Sequence, residues 1–156
     1  MGIPLFIHAH EKVLIIMDEF YSTVAKCLVG VVRVDIASLV YQDHVESRQI
    51  DDDIVSKLIH IFATKGCKRD KPENHISAII SSTDLDDILQ ASQIMRDDLQ
   101  RSLLDGVYPK LNTLDKKICY LYGRHRISAA IKFFKNSVLD NRWWTIALSS
   151  FEPESM

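Results

Sequence analysis

The chain has 156 residues, 47% of them hydrophobic and 26% charged. That is the size and make-up of one soluble domain, and it excludes a disordered chain. Nineteen Lys and Arg against 21 Asp and Glu give a net charge of −2, which excludes a uniformly basic nucleic-acid binder.

No apolar run approaches the ~18 residues that cross a bilayer. The three cysteines, Cys27, Cys67 and Cys119, form no CxxC pair, so neither a zinc knuckle nor a thioredoxin-type motif is present. An odd, sparse set suits a reducing compartment. The apolar patch Val13 to Met17 runs into Asp18 and Glu19, unlike a signal peptide. These features predict an intracellular protein, cytoplasmic or nuclear, with no membrane contact. Charge is unevenly spread. From Lys116 to Arg142 there are seven Lys or Arg and one acid, Asp140. That stretch carries +6 and the remainder 12 − 20 = −8, a local excess able to attract an anion.

In chain order, Val13, Ile16, Met17, Phe20 and Val24 recur at spacings of three and four, which predicts an amphipathic helix from His10 to Leu28. Gly30 breaks the pattern, and Val31 to Val34 reads as a strand. A polar stretch covers Tyr41 to Arg48. Asp51, Asp52 and Asp53 precede Ile54, Val55, Leu58, Ile59 and Phe62 at helical spacing. Carboxylates at a helix start cap free amides and meet the positive dipole end, so the triplet reads as a cap rather than a metal set. Gly66 closes that helix, a charged loop runs from Lys68 to Glu73, and His75 to Ile80 reads as a strand. One long helix is expected from Thr83 until Gly106 and Pro109, with Leu85, Ile88, Met95, Leu99 and Leu103 as its apolar stripe. Lys117 to Tyr122 reads as a strand. Ile127, Ala130, Ile131 and Phe134 mark another helix face, and Trp143 to Leu148 the last strand. Neighbouring strand residues point to opposite faces, so one of Trp143 and Trp144 belongs to the core. The mixture predicts an α+β (mixed α/β) class. Its divisions are an N-terminal helical extension over 1–29, a domain over 30–150 and a frayed tail over 151–156.

The chemistry concentrates at Gly123-Arg124-His125-Arg126, between a strand and a helix. A helix N-terminus offers unpaired amides and partial positive charge, and phosphate binds there. Glycine allows a close backbone approach. Two arginines add forked donors suited to phosphate, and His125 can donate to an anion or move a proton. The competing reading pairs the arginines with acids such as Asp115 or Asp140.

Tyr122-Gly123-Arg124-His125-Arg126-Ile127-Ser128-Ala129-Ala130 resembles the glycine-arginine box of the ParB/sulfiredoxin superfamily. The blocks Gly66-Cys67-Lys68-Arg69 to Asn74-His75-Ile76 and Trp143-Trp144-Thr145 extend the resemblance, in particular to a fungal group of ParB-like domains. It covers about Gly30 to Leu148. The resemblance implies a small sheet flanked by helices with a nucleotide or phosphate site at the box, holding ATP or CTP with Mg2+. In the superfamily such sites serve CTP hydrolysis, ATP-dependent sulfinic acid reduction, kinase or nuclease activity. Here Arg124 stands where sulfiredoxins carry their catalytic Cys and CTP-hydrolysing members a Glu, which argues against both chemistries. The resemblance places Arg48 near the site and Lys57 on the helix that covers the phosphate.

The expected function is therefore binding of a nucleotide or nucleic-acid phosphate by Gly123, Arg124, His125, Arg126, Arg48 and Lys57. His125 would be the catalytic acid or base of a phosphoryl-transfer or phosphodiesterase reaction. The alternative is a catalytically inactive interaction module, joined to a protein partner or a second copy through the N-terminal helix.

Overall fold

The computed structural model describes residues 19, 22–24, 26–42 and 49–152. Five strands form one mixed sheet in the order β1-β5-β3-β4-β2. They are β1 (Leu28–Asp35), β2 (Leu39–Tyr41), β3 (Ile76–Ser81), β4 (Ile118–Tyr120) and β5 (Trp143–Phe151). The four α-helices among the described residues are α1 (Asp52–Lys65), α2 (Ser82–Ser92), α3 (Arg96–Asp105) and α4 (Arg124–Phe133). The class is α+β, as the alternation of patterns predicts.

β5 is the longest strand and the one on which the fold is organised. It runs antiparallel to β1, with Trp144 opposite Val34 and Ile146 opposite Val32. On its other side it runs parallel to β3, with Ile146 beside Ile76 and Leu148 beside Ala78. All seven of these residues are fully buried, because alternate positions along a strand share one face. β4 adds antiparallel to β3, and β2 parallel to β4. α1 packs on α4 and α3 packs on β1. Val31 and Val32 are both buried, so β1 is covered on both faces.

The acidic triplet caps α1: the Asp51 carboxylate accepts the Asp53 N–H at 2.9 Å. Gly66 ends α1 at φ 86°, its N–H returning to Phe62 O at 3.1 Å. Trp144 is core while Trp143 stays partly exposed, the division that strand alternation requires.

Several expectations are corrected. Gly30 lies inside β1, where the register shifts between Leu28 and Gly30. A Cβ there would sit 2.7 Å from Leu99 O and 2.9 Å from Leu99 Cβ. The glycine serves the close approach of α3 to the strand rather than a chain break. The single helix from Thr83 to Gly106 is two helices. Gln93 takes the left-handed conformation at φ 56° and ends α2. The Met95 N–H then donates to the Asp98 carboxylate at 2.9 Å to open α3. The turn lets Leu85, Ile88 and Leu99 all reach the core, and Met95 is left 69% exposed. On α4, Ile131 is 56% exposed and Ala129 is buried in its place beside Ile127, Ala130 and Phe134. The short strand Leu39–Tyr41 overlaps the start of the expected polar stretch. The strand expected over Lys117 to Tyr122 is regular only over Ile118–Tyr120. Beyond it, the Leu121 N–H reaches Ser77 O at 3.1 Å.

Residues 22–24 and 26 of the expected N-terminal helix are helical. The Cys27 N–H reaches Thr23 O at 3.2 Å, and the Ser149 hydroxyl donates to Val24 O at 2.8 Å. Val13, Ile16, Met17 and Phe20 lie outside the described residues, as do Arg48 and the tail from 153. No helix among the described residues is long and apolar enough to cross a membrane.

Gly30→Ala tests the close contact of α3 and β1. The added methyl overpacks a main-chain carbonyl, so we expect a loss of about 1–3 kcal/mol. A thermal melt reads this as a fall of a few degrees in Tm. An unchanged Tm would show that α3 moves away without cost.

Candidate functional site

Gly123 begins α4 at φ 89° and ψ 22°, a left-handed conformation that side chains disfavour. A Cβ there would also meet Ile76 Cδ1 at 2.3 Å, a buried core atom. Having no side chain, Gly123 leaves the first turn without a side-chain cap. The other three helices carry aspartates in their first turns. α4 carries none, and starts Arg124-His125-Arg126 instead. Cations at a helix N-terminus oppose the dipole, at a cost of roughly 0.3–1 kcal/mol each. A bound anion would reverse that sign.

The three side chains of this turn have different surroundings. The Arg124 guanidinium lies 4.8 Å from the centroid of the Tyr41 ring. His125 accepts the Asp51 N–H on Nε2 at 2.9 Å, which ties the start of α4 to the start of α1. That bond uses the Nε2 lone pair, so the basic nitrogen of the ring is engaged in holding Asp51. Arg126 is half-buried, and Nη1 donates to Asn74 O at 3.5 Å. It makes no ion pair among the described residues. Burial pushes its pKa below the ordinary arginine value. Asp140, one of the acids considered for this turn, pairs with Lys110 at 3.8 Å. Lys57 is exposed on α1, and Arg48 lies outside the described residues.

The three sequence blocks meet around Asn74. Its carbonyl accepts Trp144 Nε1 at 2.9 Å as well as Arg126, and its side-chain amide donates to Lys68 O at 3.0 Å. Arg69 Nη1 donates to Asn141 O at 2.8 Å and Trp143 O at 3.0 Å, and Nη2 to Asn141 Oδ1 at 3.2 Å. The Arg69 guanidinium lies 3.6 Å from the Trp143 ring centroid and 4.6 Å from that of Phe134. Burial lowers the Arg69 pKa too, with Asp70 and Cys67 acting against the shift. Neither Arg69 nor Asn74 stands out as a site residue from sequence. Their only signal is membership of the 66–76 block.

The basic excess of the C-terminal third is dispersed. Lys116 reaches Asp84 at 2.9 Å and Asp87 at 3.3 Å. Lys117 donates to Ala37 O at 3.0 Å, and Arg142 to Ser137 O and Lys135 O. Two of the surface grooves among the described residues are sizeable. One of about 740 Å3 lies between residues 35–38, 91–92 and 110–117. The other, of about 540 Å3, lies against residues 66–71, Phe133, Phe134 and Trp143. Residues 123–126 line neither of them.

The model of a family described as "Protein of unknown function (DUF3723) N-terminal domain" matches residues 27–152. The chain belongs to that family, and the match takes in the whole sheet and all four helices. No curated protein and no solved structure matches the chain.

All three cysteines are free thiols, and burial raises the pKa of Cys67 against the opposing charge of Arg69. A raised pKa means less thiolate at a given pH, and thiolate is the reactive form. Mass-spectrometric mapping of iodoacetamide adducts at pH 8 should find Cys67 alkylated more slowly in the native chain than in the denatured one. Faster native alkylation would identify an activated thiol instead.

Proposed function

We propose that this member of the DUF3723 N-terminal-domain family binds a phosphate-bearing ligand, a nucleotide or a nucleic-acid phosphate, at the N-terminus of α4. The observation that carries the reading is the half-buried Arg126, which makes no ion pair among the described residues, in the first turn of a helix opened by an uncapped glycine. A phosphate seated there would meet the positive end of the helix and the charge of Arg126 and Arg124. It supplies the negative charge that aspartates supply to the other helices. The resemblance of residues 122–130 to the ParB/sulfiredoxin box supports the same placement. ATP or CTP would bring Mg2+ as the counter-ion of its phosphates. Binding is the primary role. Phosphoryl transfer would draw on His125 only after Nε2 releases the Asp51 amide, because the lone pair that accepts that amide is the ring's basic one.

A thermal-shift screen of the full chain against ATP, CTP, GTP, UTP and a short single strand, with and without Mg2+, tests this. A ligand at one hundred times its Kd stabilises by ~2.7 kcal/mol, a rise of roughly 5–10 °C for a domain of this size. The rise should be lost in Arg126→Ala and reduced in Arg124→Ala, with far-UV circular dichroism unchanged. Absence of any shift would overturn the reading in favour of an interaction module using the apolar face from Val13 to Val24.

A further inference from the structure

Strand alternation gives the sheet two faces, and the four helices share one of them. Phe62 of α1, Leu85 of α2, Leu99 of α3 and Ile127 of α4 join one core cluster with Ile146 and Leu148 of β5. The opposite face carries a row in register across four strands: Ser149 of β5, Ile79 of β3, Cys119 of β4 and Val40 of β2. Ile79 and Cys119 are half-buried, and neither is in that cluster or among the residues packed against it. Val40 is 42% exposed. Towards Trp143 the same face is occupied by the loop 66–71, whose Asp70 carboxylate accepts the Thr145 hydroxyl at 3.0 Å.

The helical turn before β1 meets this row at Ser149. The Ser149 hydroxyl donates to Val24 O at 2.8 Å, and the Ser150 N–H to Cys27 O at 3.1 Å. Glu19, residues 22–24 and Lys26 are helical, and Thr23 Oγ1 donates back to Glu19 O at 2.9 Å. Glu19, Ser22, Thr23 and Lys26 are exposed, while Val24 is half-buried. The sequence stripe Val13, Met17, Phe20 and Val24 lies on the side of the helix that Val24 turns inward.

We infer that this sheet face is the docking surface of the chain's own N-terminal segment, residues 13–24, laid across β5, β3, β4 and β2 as a helix. The lengths agree. Three strand spacings carry the row about 14 Å from Ser149 to Val40, and eleven residues carry a helix about 16 Å from Val24 to Val13. On that path Phe20 falls over Ile79, Met17 over Cys119 and Val13 over Val40. In the other direction only β1 lies beyond β5, too narrow for the stripe. A second copy carries the same stripe, but the bond between Ser149 and Val24 sets this chain's own helix at the start of the row. The assignment involves none of residues 123–126, so it stands apart from the phosphate reading. It closes the stripe to outside partners.

Oxidation of the full chain carrying Met17→Cys, followed by peptide mapping, tests the path. A bridge from the introduced thiol to Cys119 within one chain is expected. Ser22→Cys, on the exposed side, should form none to Cys119. A bridge between two chains would overturn the inference in favour of a second copy, and no bridge to Cys119 would overturn it outright. Phe20→Asp supplies a measurement that needs no bridge. It should speed native alkylation of Cys119 by iodoacetamide about tenfold, as the cover opens, and lower Tm by a few degrees. Ser22→Asp should change neither. The inference falls if Phe20→Asp leaves Cys119 as slowly alkylated as in the parent.

Discussion

The carbonyl of Asn74 is the point on which four elements are set against one another. It closes the loop before β3 and accepts both Trp144 of β5 and Arg126 of α4. This part-buried carbonyl is paired by side chains from distant parts of the chain. Trp144 is among the largest fully buried residues, and its ring lies 5.7 Å from that of Phe62 on α1. Phe62 in turn meets Phe133 of α4 at 5.8 Å. The direction in which α4 leaves the sheet is thus fixed twice: by Arg126 at its start and by an aromatic contact at its end. Both ends of α4 are thereby tied to the rest of the fold.

Charge is distributed by a related rule. α1, α2 and α3 begin with aspartates, which neutralise their positive ends from within. α4 begins with arginines and has no acidic residue in its first turn. At its far end the same helix meets Arg69, another half-buried guanidinium satisfied by neutral oxygens. Ten residues separate the ends of α4, about 15 Å at 1.5 Å per residue. Both arginines have their pKa lowered by burial. Each loses hydration without gaining a close carboxylate, and a bound anion would restore the lost interaction. In a chain of net charge −2, two such positions at the ends of one helix mark local electrostatic design that a net-charge argument misses.

Much of the fold is legible because burial imposes a period. Alternation gives β3 and β5, the three-and-four spacing gives α1, and the Asp51 cap and Gly66 bound it. Reading fails where a tertiary contact overrides the local signal. Gly30 looks like a breaker, but the neighbour that excludes a side chain there is Leu99, 69 positions away. Residues 83–106 carry a continuous helical stripe, yet Gln93 turns left-handed, a conformation that glutamine does not announce. Ile131 continues the apolar face of α4 by spacing, and is exposed. The Gly123 to Arg126 turn is legible because its residues are consecutive. The roles of Arg69 and Asn74 are not, because each meets a partner 52 to 74 positions away, Arg69 a distant carbonyl and Asn74 distant side chains. Pattern reading detects side-chain periodicity, and it is blind to which carbonyl a distant guanidinium will find.

His125 decides how far the α4 turn should be read as a reaction centre. Its Nε2 accepts the Asp51 amide at 2.9 Å, and Asp51 is also the residue whose carboxylate caps α1. Protonating Nε2 would replace an acceptor by a donor facing another donor, and would loosen the joint between the two helix starts. An acid–base cycle through that nitrogen would therefore disturb the scaffold at each turn. Nδ1 carries no such commitment, but to serve as a base it must give up the proton that it holds in the tautomer accepting at Nε2. On the proposed reading, His125 fixes the turn through Nε2 while the arginines would meet the phosphate. On that reading His125 acts as a positioning residue, joining the start of α4 to the start of α1.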